Sequence, residues 1–312
     1  MGFSPDNYTV DVALEDDFQS WLRQLPAAVQ KPAKTVADDD QRHFRQALWT
    51  LFSQAGGISD TETFSGTVEV LALASGLIPA TFKPQAMSLS DIAMSKAKAY
   101  GSQYLYGHFV ATLATAGLPQ SEITVVLQTA QQFWLANGTR LQLNFNQRER
   151  VADYLKDAKA RSGALSAMTC RLASVTAGIT DKAVTDLIST IGETLGVIAQ
   201  ILTDVNRTHD SLDFRTLILS GNYPLSLLFA FEEESDWFQN FFGSAKKPTD
   251  DQFDIARKLT IQAGEKSALQ LAKELISQTQ IDAKTLPDGT VQERLQQLLV
   301  QLENDAADYL KS

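Results

Sequence analysis

The chain has 312 residues, 44% of them hydrophobic and 21% charged, with a net charge of -10. That is long and apolar enough for a core that needs neither disulfides nor a structural metal, in one large domain or two ordinary ones. The acidic balance argues against a general nucleic-acid or anionic-membrane binder. The single Cys170 excludes an intramolecular disulfide and a multi-cysteine zinc site, and three histidines leave little for a histidine-built metal site.

From the N-terminus, Met1 to Asp6 lacks a basic segment followed by an apolar one, so no secretory signal is expected. No apolar run approaches the roughly 20 residues that span a bilayer. The expectation is a soluble, cytoplasmic protein with no integral membrane segment and no nucleic-acid partner. Apolar residues then recur at helical spacing over 11–30, 40–55, 64–78, 88–116, 119–136 and 145–177. Residues 180–205 carry the clearest stripe: Ala183, Leu187, Ile188, Ile191, Leu195, Ile198 and Leu202, with Thr180-Asp181 as a start signal. Residues 252–281 and 290–311 repeat the pattern.

Breaks fall at Gly56-Gly57, Pro79 to Pro84, Gly117-Leu118-Pro119, Gly221 to Pro224, Lys247-Pro248 and Pro287-Asp288-Gly289. No stretch alternates with period two long enough to demand a sheet, and no repeat is visible. The sequence predicts an all-α fold of about ten helices: a flexible N-terminus over 1–10, then one helical domain over 11–312.

Asp38-Asp39-Asp40 is the most conspicuous acidic cluster. Three carboxylates attract magnesium only if they converge, and consecutive helical residues point apart, so a helix N-terminus accounts for them better. Glu232-Glu233-Glu234 reads as a solvated face or helix end. No P-loop, Gly-x-Ser-x-Gly or His-Glu-x-x-His string is present.

A longer signal lies in a series of fragments. Gln41-Arg42-His43-Phe44-Arg45 precedes Val68 to Ile78, then Tyr100 to Leu105, Trp134 to Gly138, Arg161-Ser162-Gly163-Ala164-Leu165, Gln200 to Asn206, and Gly221-Asn222-Tyr223-Pro224-Leu225. In this order the chain resembles the trans-isoprenyl diphosphate synthases over residues 35 to 310. The resemblance implies an isoprenoid-synthase-type helical bundle with a central cavity, a homodimer through segments near 88–137, and magnesium held by two aspartate-rich motifs. Magnesium would neutralise the charge developing on the departing diphosphate.

The chain departs from that pattern at the metal. The first motif falls at Pro79-Ala80-Thr81-Phe82-Lys83, where no carboxylate remains, and the second at Thr203-Asp204-Val205-Asn206-Arg207, where only Asp204 does. Asp204 is the single candidate metal ligand, and weak magnesium binding is expected, with no other cofactor.

The diphosphate positions implied by the resemblance are Arg42 and Arg45, able to share one phosphate at i and i+3, with Arg161 and Ser162. Lys83 and Arg207 replace the last aspartate of each motif and form an alternative anion site; the simpler alternative pairs Arg207 with Asp204. The expectation is a non-catalytic member of this group: a partner or regulatory subunit, as homodimer or heteromer with a catalytic prenyl diphosphate synthase, or an isoprenoid-binding protein. An active or weakly active prenyltransferase condensing isopentenyl diphosphate with an allylic diphosphate, and an unrelated helical protein, are the alternatives.

Overall fold

The apolar stripe over 180–205 becomes the axis of the structure. A computed structural model describes residues 8, 12–37, 41–53, 65–78, 88–244, 247–287 and 289–310. The described residues are almost wholly helical, with no strand among them. The axial helix α9 (Lys182–His209) is preceded by α1 (Val12–Gln24), α2 (Ala27–Lys34), α3 (Arg42–Ser53), α4 (Thr67–Gly76), α5 (Leu89–Ala114), α6 (Gln120–Leu143), α7 (Val151–Ala158) and α8 (Ala164–Thr176). It is followed by α10 (Ser211–Ser220), α11 (Leu225–Glu233), α12 (Ser235–Gly243), α13 (Asp250–Leu259), α14 (Lys266–Ala283) and α15 (Thr290–Tyr309). Single π-helical turns, Lys159–Gly163 and Thr260–Glu265, join α7 to α8 and α13 to α14.

The Asp181 carboxylate starts α9 by accepting the amides of Ala183 and Val184, as its sequence position suggests. Ile188, Ile191, Leu195, Ile198 and Leu202 are all buried against α8 and α14. Among the described helices α9 alone is long and apolar enough to cross a membrane, yet 56% of its apolar window is buried within the protein. That is the burial of a core helix.

The helices outnumber the ten expected, because punctuation acts inside the stripes. Residues 11–30 are two helices, parted where Leu25-Pro26 removes an amide donor and disfavours helical geometry at the preceding residue. The helix expected from 145 starts at Val151, leaving 144–150 as a connection in which Phe145 takes a left-handed conformation, φ 64°. α10 and α12 lie where no stripe was identified. The exposed Glu232-Glu233-Glu234 does sit at a helix end, that of α11. Asp38-Asp39-Asp40, most of the presumed flexible segment 1–10, and 79–83 with Lys83 lie outside the described residues. α4 ends at Gly76, ahead of Pro79.

One buried ion pair ties α3 to α4. Arg45 Nε and Nη2 donate to Glu69 Oε1 and Oε2 at 2.8 and 2.6 Å, with side chains only 1% and 4% exposed. The bidentate geometry satisfies both partners, so each depends on the other. Glu69→Ala leaves a buried guanidinium without that carboxylate and should cost about 3–5 kcal/mol of unfolding free energy, read from urea denaturation. A loss indistinguishable from that of a surface glutamate would show that the pair contributes nothing.

Candidate functional site

The C-terminal half of α9, the α7 segment with its π turn, the end of α6 and the turn after α10 enclose a polar cavity of about 160 Å³. Arg140, Arg161 and Arg207 line it, with Asp157, Asp204, Gln200, Thr203, Tyr154 and Asn222.

Three glycines make the enclosure possible. A Cβ on Gly196 would lie 2.4 Å from the Ser162 carbonyl oxygen, and one on Gly192 2.7 Å from Cys170 Sγ. A Cβ on Gly163 would lie 2.9 Å from the Glu193 carbonyl oxygen. The backbones of α9 and the π turn therefore approach without side chains between them. The π turn brings Ser162 and Arg161 to this contact, and Ser162 Oγ donates to Gln200 Oε1 at 2.6 Å.

From there a buried network runs along α9. Gln41 Nε2 also donates to Gln200 Oε1 (2.8 Å), and Gln200 Nε2 donates to Asp204 Oδ1 (2.9 Å). The Tyr154 hydroxyl donates to Asp204 Oδ2 at 2.7 Å. Burial pushes the Asp204 carboxyl above its usual range, against the pull of the Tyr154 bond and the Arg207 charge. Burial, and after it the neighbouring Asp204 carboxylate, likewise hold the Tyr154 phenol well above its ordinary value.

A second chain is ionic. Arg140 Nη1 donates to Glu149 at 2.9 Å and approaches Asp157 at 3.4 Å, while its Nε donates to Asn222 Oδ1 at 2.9 Å. Asp157 in turn accepts from Arg161 Nε and Nη2 at 3.0 and 2.7 Å. Arg207, partly exposed, stands 4.0 Å from Asp213. Three guanidinium groups thus face two carboxylates, and the buried Thr203 hydroxyl has no hydrogen-bond partner among the described residues. An anion with several acceptor oxygens matches this arrangement.

Magnesium does not fit the same donors. It requires near-octahedral oxygen coordination. Here each Asp204 oxygen accepts a protein hydrogen bond, Asp157 is held by arginines, and no group of three or more potential metal-ligating side chains occurs among the described residues.

Of the residues singled out in the sequence, Arg161, Ser162, Asp204 and Arg207 come together here, Ser162 through Gln200. Arg42 and Arg45 do not. Arg42 forms an ion pair with Glu15 and lies 4.7 Å above the Phe18 ring, while Arg45 is engaged by Glu69. Each of these two arginines holds a carboxylate on a different helix. Arg207, whose charge acts on Asp204 as its i+3 spacing suggests, also approaches Asp213. Arg140 and Asp157 went unrecognised. Asp157 sits four residues before Arg161, a helical ion-pair spacing that was available; Arg140 lies two residues past Gly138, with nothing local to mark it.

Beyond Arg140, Arg161 and Asn222 a second cavity, of about 320 Å³, opens between α4 and α6. Ile78, Trp134 and Leu141 give it apolar walls. A polar box thus adjoins an apolar groove.

No family model matches the sequence, and no curated protein matches it. Solved structures do. A geranylgeranyl pyrophosphate synthase from Lactobacillus brevis ATCC 367 superposes with a TM-score of 0.76 at 20% identity, over 93% of this chain and 95% of that one. A heptaprenyl diphosphate synthase from Staphylococcus aureus gives 0.76 at 15% identity over 97% and 99%. A decaprenyl diphosphate synthase from Rhodobacter capsulatus gives 0.73 at 13% over 95% and 97%. The chain therefore has the all-α fold of the trans-prenyl diphosphate synthases.

The raised Asp204 pKa has a measurable consequence. A carboxyl whose folded pKa lies above its unfolded value favours folding while protonated, and stability falls as pH rises from the unfolded pKa through the folded one. Asp204→Asn should remove that component. Urea denaturation across the acidic range should show the parent losing stability relative to the variant as pH rises through this window; a pH-independent difference would contradict the assignment.

Proposed function

We propose that this protein is a non-catalytic relative of the prenyl diphosphate synthases that holds the phosphorylated head of an isoprenoid in an arginine box without metal. The observation that carries this reading is the convergence of Arg140, Arg161 and Arg207 on one cavity whose Asp204 carboxylate is hydrogen-bonded at both oxygens. Guanidinium groups offer forked donors matched to phosphate oxygens. The Thr203 hydroxyl supplies one more group in search of a partner. The adjoining groove of Ile78, Trp134 and Leu141 suits a hydrocarbon tail.

The same features disfavour turnover. Ionising an allylic diphosphate needs strong neutralisation of the departing group, which carboxylate-bound magnesium supplies when a protein can hold it. In this chain that role falls to arginines already shared with Asp157, Glu149 and Asp213.

The chain would act in the cytoplasm in isoprenoid biosynthesis, as a homodimer or as the partner subunit of a catalytic prenyl diphosphate synthase. Ile92, Tyr100 and Tyr104 support the second subunit: they are exposed large apolar residues at four-residue multiples along α5, forming one stripe. Assembly through that stripe would bury it.

Calorimetric titration with geranyl or farnesyl diphosphate tests the box. Binding should persist unchanged in excess chelator. Arg161→Gln and Arg207→Gln should each weaken it about tenfold or more, since a charge-assisted hydrogen bond contributes about 1.5–3 kcal/mol. Arg42→Gln should leave it intact, and Lys83→Ala measures what the 79–83 segment adds. Incubation with isopentenyl diphosphate, an allylic diphosphate and magnesium should yield no longer product from the protein alone. Condensation at a rate typical of enzymes, or binding that vanishes with the metal, would defeat the proposal.

A further inference from the structure

Another cavity, of about 140 Å³, lies between α1, α3, the start of α4 and the end of α5, and shares no residue with the arginine box. Leu14, Phe18, Trp21 and Val70 form its apolar side. The Phe18 and Trp21 rings stack at 6.0 Å, and Trp21 stacks on His108 at 5.8 Å, so three rings make one continuous wall from α1 to α5. Trp21 Nε1 donates to His108 Nε2 at 3.4 Å, which uses the only hydrogen-bonding group of the indole.

The polar side of the wall holds two unanswered groups. Gln46 and Thr67 are each 4% exposed, and Gln46 Oε1 and Thr67 Oγ1 have no hydrogen-bond partner among the described residues. Glu15 fixes the direction of the Gln46 amide: its carboxylate faces Nε2 at 3.5 Å, and a reversed amide would set oxygen against oxygen. The carbonyl oxygen is therefore left as an acceptor in need of a donor. Thr67 opens α4, but Gly66 holds the N-cap position and no side chain caps the helix. Water answers only part of this. A water takes about 30 Å³, and a cavity of about 150 Å³ walled by hydrocarbon holds benzene instead. Charge narrows the class further. Asp17 is the one carboxylate in the wall, exposed and with no lysine or arginine beside it among the described wall residues, which opposes an anion. The start of α4 is the positive end of its dipole, which opposes a cation.

We propose that this cavity binds a small neutral molecule, about the size of benzene, that carries one hydroxyl group on an apolar body. The hydroxyl gives its proton to Gln46 Oε1 and accepts that of Thr67, since one oxygen both donates and accepts. The apolar body lies against Leu14, Phe18, Trp21 and Val70. Binding there answers two buried polar atoms that the fold leaves unpaired. The proposal stands apart from the diphosphate reading, since it uses a different cavity and no phosphate.

Saturation-transfer NMR on the full chain, with phenol, toluene and benzoate as probes, tests it. Phenol should bind at millimolar concentration. Toluene, which has the shape but not the hydroxyl, should bind about tenfold or more weakly, and benzoate more weakly than phenol. Thr67→Val keeps the shape of the wall and removes its hydroxyl. It should weaken phenol about fivefold and leave toluene unchanged, with a melting temperature equal to or above that of the parent, because a buried unpaired group has gone. Thr112→Phe, at a partly exposed wall position, should fill the space and exclude both probes. Saturating geranyl diphosphate should not displace phenol. Absence of phenol binding, equal binding of phenol and toluene, a Thr67→Val variant that binds phenol like the parent, or displacement by geranyl diphosphate would overturn the proposal.

Discussion

The site depends on a close backbone approach between α9 and the segment that runs from α7 through a π turn into α8. Gly163, Gly192 and Gly196 leave no side chain at this contact, so the Ser162 carbonyl and hydroxyl lie directly against α9. Much else follows from that distance. Gln200 reaches Ser162, Asp204 reaches Tyr154, and Asp157 and Arg161 face the same cavity as Arg207. A methyl group on Gly196 would separate the helices and loosen each of these contacts together.

Arginines outnumber carboxylates in the wall of the cavity. Asp157 is shared by Arg140 and Arg161, Glu149 lies behind Arg140, and burial raises the pKa of Asp204. Burial raises the Glu149 carboxyl as well, more than Arg140 lowers it. Three guanidinium groups against two carboxylates in the cavity wall suit an anion better than a divalent cation.

Much of this fold was legible. Helical spacing, short breaks and the absence of period-two alternation identify an all-α protein, and the stripe from Ala183 to Leu202 marks the axial helix. The site was legible only in part. Arg161, Ser162, Asp204 and Arg207 could be found because serial fragments carried them. The spacing of Arg42 and Arg45 permits a shared anion but does not reveal their carboxylate partners, Glu15 and Glu69, which lie 27 and 24 residues away. Arg140 meets Asn222 across 82 positions, a contact no local pattern encodes. Short-range rules find helices; the ion pairs that decide which arginine is available are long-range.

The two π turns bear on how this chain aligns with any other. Each places an additional residue in one turn of an otherwise continuous helix, at 159–163 and at 260–265. Removing a residue from the first would rotate Ala164 onward by about 100° relative to Val151–Ala158, at 3.6 residues per turn. Arg161 and Tyr154 could then no longer share a face with the same side of α9. Comparison of this segment with an uninterrupted helix therefore requires a one-residue gap, and a residue-by-residue alignment without it displaces every position that follows by one register step.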